Sequence, residues 1–497
     1  MSKPKQFTKP PKKQKAKAAE PETAEEFQAA ADFEEETGGK WRAGDPAKAG
    51  RAFVRALEVY DRGIGKHPHE FDLAYNKARL ELEITQNPAL VGHIGQPLAG
   101  LLKQTLDSHR YALRLNKLNP DLLFNTSQVL TSLAEQLLEA EDSDTSISLL
   151  QEALELLSSC LSRQEVLLEQ QQSELEDGEE GGVSLGAPDE KTVPTAESTP
   201  GSDDAGQYAT VESPTTASDL LDTVHASLSA LTMLVTLVDA GSLRTLGDMA
   251  QGLTEKKAPS YIGMLSEDAQ DSAHFTVALA RASFVAAFAD VQYNAFTIEV
   301  AEYLDRLEAF EVPGKDGDVT ALGSEAEARV ELATSVMARF EGSSDLPADI
   351  CWKQLGTAQE SYAKAAKLDS SAQLYLSRAD VEMLRHRIAS LTTSKIAENV
   401  RKSAPTLAQN AQTYYKGAVR LASDEDEEVK SKALQRLFIA TQLRSVLYQA
   451  EPAADVTQMI EMCGVQRRMH EGYMECVEEG LLDAEQAEEL AGQIVAT

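Results

Sequence analysis

Residues 44–83 read GDPAKAGRAFVRALEVYDRGIGKHPHEFDLAYNKARLELE, and the spacing of their small and aromatic residues decides the fold. Ala49, Phe53 and Ala56 follow each other at intervals of four and three, so they share one face of a helix. Small residues on that face let a second helix approach closely, and the aromatic ring fills the remaining gap. Pro68 ends this helix, and the sequence beyond it predicts a second, antiparallel helix.

The same pattern returns later in the chain. In 112–140 a proline separates two helical patterns, and a serine is the small residue of the second. In 351–387 the spacing recurs with tyrosine as the aromatic residue, and 411–418 is a weaker copy. Repeated units of this kind predict a stack in which each unit packs on its neighbours. The residues that carry these repeats are Pro120, Ser127, Ala358, Tyr362, Ala365, Ala379, Ala411, Tyr415 and Ala418.

This pattern resembles the tetratricopeptide repeat (TPR), a helix–turn–helix unit of about 34 residues. The resemblance covers about 30–130 and 351–425 and is poor over 217–345, and some helices overrun the repeat frame. Good helix formers recur throughout, and no segment reads as a strand. The predicted fold class is all-α, an irregular TPR-like α-solenoid of antiparallel helix pairs with a disordered acidic insertion. The alternative is a generic helical domain with chance alanine and tyrosine spacing.

Composition divides the chain into four parts. Residues 1–22 form a lysine-rich tail, and 173–216 form an acidic insertion rich in Gly, Pro, Ser and Thr. Both are predicted to be disordered, because they hold too few apolar residues for a core. The other two parts are an N-terminal TPR-like helical region, 23–172, and a C-terminal helical region with further repeats, 217–497.

The net charge is −33 at pH 7, from 47 Lys and Arg against 80 Asp and Glu. The insertion holds eleven acids and one lysine, and residues 1–19 hold seven lysines and no acid. The remaining helical body keeps 69 acids against 39 bases, so the acidity belongs mainly to the folded part. This sign argues against direct sequence-specific binding of nucleic acid, because phosphate binding needs basic groups. It favours a basic protein partner.

Five side chains on the helices expected to line the inner face of the first repeats are the candidate partner-binding residues. They are Tyr75, Asn76, Arg79, Asn125 and Gln128. As an alternative, Tyr75 packs between repeats and Asn76 makes a hydrogen bond between helices. Asn76 also matches the middle asparagine of the two-carboxylate clamp with which some TPR domains hold the C-termini of Hsp70 and Hsp90. The other clamp positions carry Thr37, Gly38, Leu122 and Asn125, so most of the clamp is absent.

The sequence predicts no catalytic site, no metal site and no cofactor. It contains no GxxxxGK, GxGxxG or HExxH motif. The close pair His67 and His69 is interpreted as part of a turn, and Cys463 and Cys476 are too far apart in sequence for Cys-x-x-Cys zinc spacing. The four scattered cysteines indicate a reducing compartment. The apolar runs are too short to predict a membrane span.

By architecture and charge, the chain resembles acidic TPR chaperones of basic clients, namely NASP/Sim3-type histone chaperones and ribosomal-protein assembly chaperones. The resemblance implies a non-catalytic chaperone or adaptor that holds a basic client in the cytoplasm and nucleus. The cluster Lys12, Lys13, Lys15 and Lys17 is typical of a nuclear import signal, and a solvated tail is the alternative. Two other functions stay open: a general TPR scaffold or Hsp70/Hsp90 cochaperone, and an enzyme with an unrecognised site. The sequence specifies neither the client nor the oligomeric state.

Overall fold

The structure is a computed structural model that describes most of the chain. The described residues are 20–140, 142–180, 214–239, 241–340, 343, 345–391, 396–423, 427–452, 454–462 and 469–495. The predicted import signal at Lys12, Lys13, Lys15 and Lys17 lies outside them, as do residues 181–213 of the predicted insertion. Both predictions therefore stay predictions.

The chain divides into two compact units, residues 1–117 and 118–497. The described residues of both units form helices and no strand. The helices of the first unit are α1 (Ala24–Trp41), α2 (Pro46–Lys66), α3 (Phe71–Thr85), α4 (Pro88–Ile94) and α5 (Leu98–Leu115).

The second unit continues the alternation of helix and short connection. Its helices are α6 (Pro120–Glu139), α7 (Ser143–Glu180), α8 (Ala217–Val235), α9 (Leu243–Gln251), α10 (Ala258–Ile262), α11 (Glu267–Asn294), α12 (Val300–Leu307), α13 (Val319–Arg339), α14 (Ala348–Leu368), α15 (Ala372–Ser390), α16 (Glu398–Leu421), α17 (Glu427–Tyr448), α18 (Ala454–Met462), α19 (Met469–Glu478) and α20 (Ala484–Val495). A π-helical turn, Gly252–Lys257, joins α9 to α10.

The first repeat shows how the sequence sets a helix pair. The Asp45 carboxylate accepts a hydrogen bond of 2.9 Å from the Lys48 N–H, and a proline follows Asp45, so α2 begins there. Ala49, Phe53 and Ala56 are at most 1% exposed, and their cluster includes residues of α1. The face of α2 that carries Ala49, Phe53 and Ala56 is therefore the face buried against α1.

The later repeats behave in the same way. Tyr362 and Tyr415 are nearly fully buried, and the alanines four residues before and three residues after each of them are fully buried. The helices that carry them pack on their sequence neighbours, α14 on α13 and α15, and α16 on α15 and α17. These contacts confirm the predicted all-α fold of paired helices.

Two long helices depart from the repeat frame. α7 packs against α6 and α8, so α6 and α7 belong to the second unit, although composition grouped them with the N-terminal region 23–172. Its end at Glu180 lies beyond the predicted start of the insertion at 173. α11 is long and apolar enough to cross a membrane by length and composition alone, which is weak evidence because buried core helices pass the same test. In the structure α11 packs against α8, α12 and α13.

We expect Phe53→Ala to lower the free energy of unfolding of the first unit by about 3–5 kcal/mol, because it removes a buried ring and leaves a cavity between α1 and α2. The matched control is Arg51→Ala on the exposed face of α2, with an expected change within about 0.5 kcal/mol. Urea titration of both variants measures the difference. Equal stability of the two variants would contradict the assigned packing face.

Candidate functional site

Two cavities open side by side on the second unit. Their volumes are about 530 and 590 Å³, and both have Asn294 and Glu331 in their walls. We call the combined depression the acidic groove. It is lined by residues of α8, α11, α13, α15 and α19 and by the turn that follows α19. Each cavity has a volume typical of a ligand-binding pocket.

Small side chains line the groove where α11 faces α13. Ser283, Ala286 and Ala287 belong to α11, and Ser324 and Ala328 belong to α13. Short side chains keep the space between the two helices open. An extended peptide or a long side chain can therefore come close to the helix backbones.

Acidic residues dominate the charged lining of the groove. The six carboxylates are those of Asp290, Glu327, Glu331, Asp380, Glu478 and Glu479. Arg387 is the one basic residue in the described lining, and its Nη1 donates a hydrogen bond of 2.9 Å to the Gly480 carbonyl. The groove thus carries a local excess of negative charge.

Two of the six carboxylates are neutralised within the protein. Asp380 and Glu479 both form ion pairs with Arg436, whose guanidinium is almost fully buried. The Tyr415 hydroxyl also donates a hydrogen bond of 2.7 Å to Asp380. This cluster ties α15, α16, α17 and the end of α19 together, and its primary role is structural.

Asp290 is half-buried and is held by neutral donors. Its carboxylate accepts hydrogen bonds from the Ser335 hydroxyl at 2.6 Å, the Tyr303 hydroxyl at 3.2 Å and the Asn294 side-chain amide at 2.8 Å. Burial raises the pKa of Asp290, and the hydrogen bonds from Ser335 and Tyr303 oppose that shift only in part. No Lys or Arg of the described chain forms an ion pair with it.

Glu327 and Glu331 lie one turn apart on α13 and both line the groove. Within the described residues neither carboxylate has a salt bridge or a hydrogen-bond partner. Burial raises the pKa of both groups, and the nearby charge of Asp290 raises the pKa of Glu331 further. Both residues are exposed, and the neighbouring groove walls remove only part of the hydration of their carboxylates. These are accessible negative charges without a countercharge.

Glu325, on the opposite side of α13, shows the contrast. Its carboxylate is almost fully buried and pairs with Lys315 at 3.1 Å and Arg329 at 2.8 Å. Burial by itself raises its pKa, but the hydrogen bonds and charges of Arg329 and Lys315 outweigh burial and hold the pKa below its ordinary value. One helix therefore carries a neutralised structural glutamate and two groove glutamates that no described base neutralises.

An exposed aromatic residue lies close to the groove. Phe296 is 72% exposed and has a φ of 59°, a left-handed backbone that non-glycine residues rarely adopt. The Thr297 N–H donates to the Gln292 carbonyl at 2.9 Å, so Phe296 occupies the position that glycine usually takes at a helix end. The Arg339 guanidinium lies 4.2 Å from the centre of its ring.

None of the five candidate residues from the sequence lines the acidic groove. In the first unit, Arg79 forms an ion pair of 2.5 Å with Glu35, and Asn76 donates a hydrogen bond of 3.1 Å to the Gln28 side chain. The Tyr75 ring lies 5.7 Å from the ring of Phe71. Asn76 and Arg79 of α3 thus contact α1. For Asn76 this is the hydrogen bond between helices that the sequence offered as an alternative. The remaining two candidates, Asn125 and Gln128, are half-buried on α6 of the second unit.

Asp290, Glu327 and Glu331 are not among the candidate residues that the sequence predicts. The local signal was the sequence Glu327-Ala-Arg-Val-Glu331, which places two like charges one turn apart on a helix. Such a pair is unfavourable for an isolated helix. Its neighbours across the groove, however, come from segments far away in the chain.

The described residues contain no cluster of three or more His, Cys, Asp or Glu arranged to hold a metal ion. Cys160, Cys351 and Cys476 are buried free thiols, and burial raises their pKa values to about 11, 12 and 12, respectively. These thiols are therefore protonated at neutral pH, and Cys463 lies outside the described residues. His67 lies at the end of α2, and its Nε2 is 2.8 Å from the Glu22 carbonyl oxygen.

Comparison with known proteins gives limited matches. No family model matches the chain. UPF0656 protein C926.02 of Schizosaccharomyces pombe is 36% identical over 155 residues, which are 31% of this chain and 34% of that protein. The chain thus matches about a third of the length of this curated relative.

The solved structures found by comparison are distant. The S. pombe nuclear import adaptor Nro1 is 12% identical, with 89% of this chain and 100% of that chain covered and a TM-score of 0.29. A circular tandem repeat protein is 15% identical, with 95% and 96% covered and a TM-score of 0.26. TM-scores this low support no argument about function.

We expect the double substitution Glu327→Gln and Glu331→Gln to stabilise the unliganded protein at neutral pH by about 0.5–1 kcal/mol. The amides keep the shape of the side chains and remove two partly desolvated like charges. The effect is small because both groups are exposed. The control on the same helix is Glu325→Gln, which should cost about 3 kcal/mol because it leaves Arg329 and Lys315 without their buried partner.

The effect of the double substitution depends on pH. The folded-state pKa of both carboxyl groups is raised above the ordinary value of 4.5, so the folded wild type binds their protons more tightly than the unfolded chain does. The wild type therefore loses stability, relative to the double variant, as the pH rises from below 4.5 through the raised values. Thermal melts from about pH 4 to 8 should show the two proteins converging at the acidic end. Parallel curves over that range would disprove the assigned cause.

Proposed function

We propose that the protein is a non-catalytic adaptor or chaperone that holds a basic segment of a client protein in the acidic groove. The observation that carries this proposal is the pair Glu327 and Glu331, accessible carboxylates to which the described chain supplies no countercharge. A lysine or arginine of a client would supply it. The groove walls have already removed part of the hydration of both carboxylates, so pairing with a cation costs less desolvation than at a fully exposed carboxylate.

The shape of the groove supports a peptide ligand. The small residues of α11 and α13 leave room for an extended segment, and Asp290 and Glu478 add negative charge along its length. Phe296 provides an exposed ring close by for an apolar side chain of the same client. The charge of −33 adds long-range attraction for a basic protein.

The client class in this proposal is a ribosomal protein or a histone. Both classes have basic extensions that must be kept from nucleic acid before assembly, and a solenoid with an acidic groove suits that task. The proposal places the protein in the cytoplasm and the nucleus, where such clients are made and used. It assigns no cofactor and no catalytic residue.

The enzyme alternative is weaker on geometric grounds. Asp290, Glu327 and Glu331 have raised pKa values in one cavity, which is a feature of many active sites. A general acid or base also needs a partner that holds it in a reactive orientation. Glu327 and Glu331 have no such partner among the described residues. Asp290 has three, but its donors Asn294, Tyr303 and Ser335 also link α11, α12 and α13, which gives that cluster a structural role.

The cochaperone alternative has a direct test. Asn76 is engaged by Gln28, and Arg79 by Glu35, so neither side chain is free to hold a C-terminal carboxylate. A peptide that ends in a free aspartate, as Hsp70 and Hsp90 do, is expected not to bind. Binding that Asn76→Ala abolishes would replace our proposal with the cochaperone function.

A binding titration tests the proposed function. We expect the full chain to bind purified core histones or isolated ribosomal proteins, with an affinity that falls at least tenfold between about 50 and 300 mM salt as screening shortens the range of the attraction. The variant Glu327→Gln/Glu331→Gln should bind about tenfold more weakly at the lower salt concentration.

The control changes the net charge by the same amount at another place. Glu155→Gln/Glu169→Gln alters two exposed carboxylates of α7 and should change the affinity less than about twofold. If both double variants weaken binding equally, net charge acts alone and the groove is not the site. If neither protein class binds, the proposal fails.

A further inference from the structure

We propose that a cavity of the first unit is a socket for an arginine side chain of a partner protein. The cavity has a volume of about 230 Å³ and is lined by residues of α2, α3, α4 and α5 and by Gln96. This volume is below the usual range for a small-molecule site, about 300–1,000 Å³. It is suited to a single long side chain.

Both apolar side chains and carboxylates line this socket. Leu57, Ile84, Ile94 and Leu101 form apolar walls. Three carboxylates also line the socket: Glu58 and Asp61, which are exposed, and Glu81, which is only 3% exposed. A ligand side chain therefore needs an apolar stem and a cationic end.

Glu81 is the observation that points to a missing ligand atom. Its Oε1 accepts a hydrogen bond of 2.9 Å from the Gln104 side-chain amide and lies 3.7 Å from the Lys77 Nζ. Its Oε2 accepts no hydrogen bond of good geometry within the described part of the chain, although the Ser108 side chain lies near the carboxylate and acts to lower the pKa of Glu81. A buried carboxylate oxygen without a donor is costly, and an incoming donor would remove that cost.

The local charge leaves a place for one more cation. Lys77 lies 2.6 Å from Asp61 and also near Glu81. Arg55 interacts electrostatically with Glu58, but its guanidinium pairs with Glu34. The carboxylates beside the socket therefore still outnumber the bases. Burial raises the pKa of Glu81, and the charge of Lys77 and the hydrogen bonds of Ser108 and Gln104 offset that shift only in part.

Arginine fits this socket better than lysine. A guanidinium is more weakly hydrated than an ammonium group, so it enters a buried site at lower cost. Its five N–H donors in one plane can reach Glu81 inside and a carboxylate at the edge at the same time. The three methylene groups of arginine then lie against the leucine and isoleucine walls.

The test is a methyl NMR titration of the full chain. The probes are the peptide acetyl-Ala-Ala-Arg-Ala-Ala-amide and its citrulline twin, which has nearly the same shape and no charge. We expect the arginine peptide to shift the methyl signals of Ile84, Ile94, Leu57 and Leu101. The citrulline peptide should bind about tenfold more weakly.

Glu81→Gln should remove the preference for arginine, because it removes the buried charge and keeps the acceptor for Gln104. Asp72→Asn, an exposed position of α3 outside the cavity, should leave the preference unchanged. Since Glu58 is exposed, Glu58→Gln should leave the fold unchanged, and it should weaken arginine binding about threefold. Equal binding of the two peptides by the wild type, or shifts confined to other methyl groups, would overturn the proposal.

This proposal is independent of the acidic groove. The variant Glu327→Gln/Glu331→Gln should keep the full preference for arginine in this titration. When Glu81→Gln is already present, the groove substitutions should stabilise the protein as much as they stabilise the wild type. A failure at one site therefore leaves the result at the other site interpretable.

Discussion

Close contact between helices at alanine faces is the constraint on which the rest of the structure depends. Ala49, Ala56, Ala358, Ala365 and Ala411 are all fully buried. Each allows two helix backbones to approach, and a neighbouring aromatic ring fills the space that remains. Most of the helices pack on one or two neighbours through such faces, and other faces of the helices remain open to solvent. Polar and charged residues can collect there and line grooves.

The function that we propose depends more on the position of the unpaired carboxylates than on the total net charge. α13 shows this within one helix: Glu325 is paired and buried, while Glu327 and Glu331 have no described countercharge. A net charge alone attracts any cation weakly and over a distance. Carboxylates in a groove with limited hydration add a preferred position, and that position distinguishes a binding site from an acidic surface.

The sequence predicts the helix pairs, and it does not predict the contacts between segments that are distant in the chain. The helix pairs follow from the spacing around Phe53, Tyr362 and Tyr415, because helix contacts repeat every three or four residues. Ion pairs between distant segments leave no such period. Arg79 pairs with Glu35, and Arg436 pairs with Asp380 among others. The sequence alone cannot show that these arginines have structural partners. The groove joins Asp290 to residues more than 180 positions away, near Glu478, which periodicity cannot show.

The unpaired glutamates of α13 also have a consequence for turnover. They make the empty protein less stable than it would be with a cation in place, and any ligand that binds only the folded state lowers the fraction of open molecules. Proteases cut open molecules in proportion to their population when opening and closing are fast. Degradation then removes empty molecules faster than occupied ones, so the cellular amount of such a protein follows the supply of its ligand without a separate regulator.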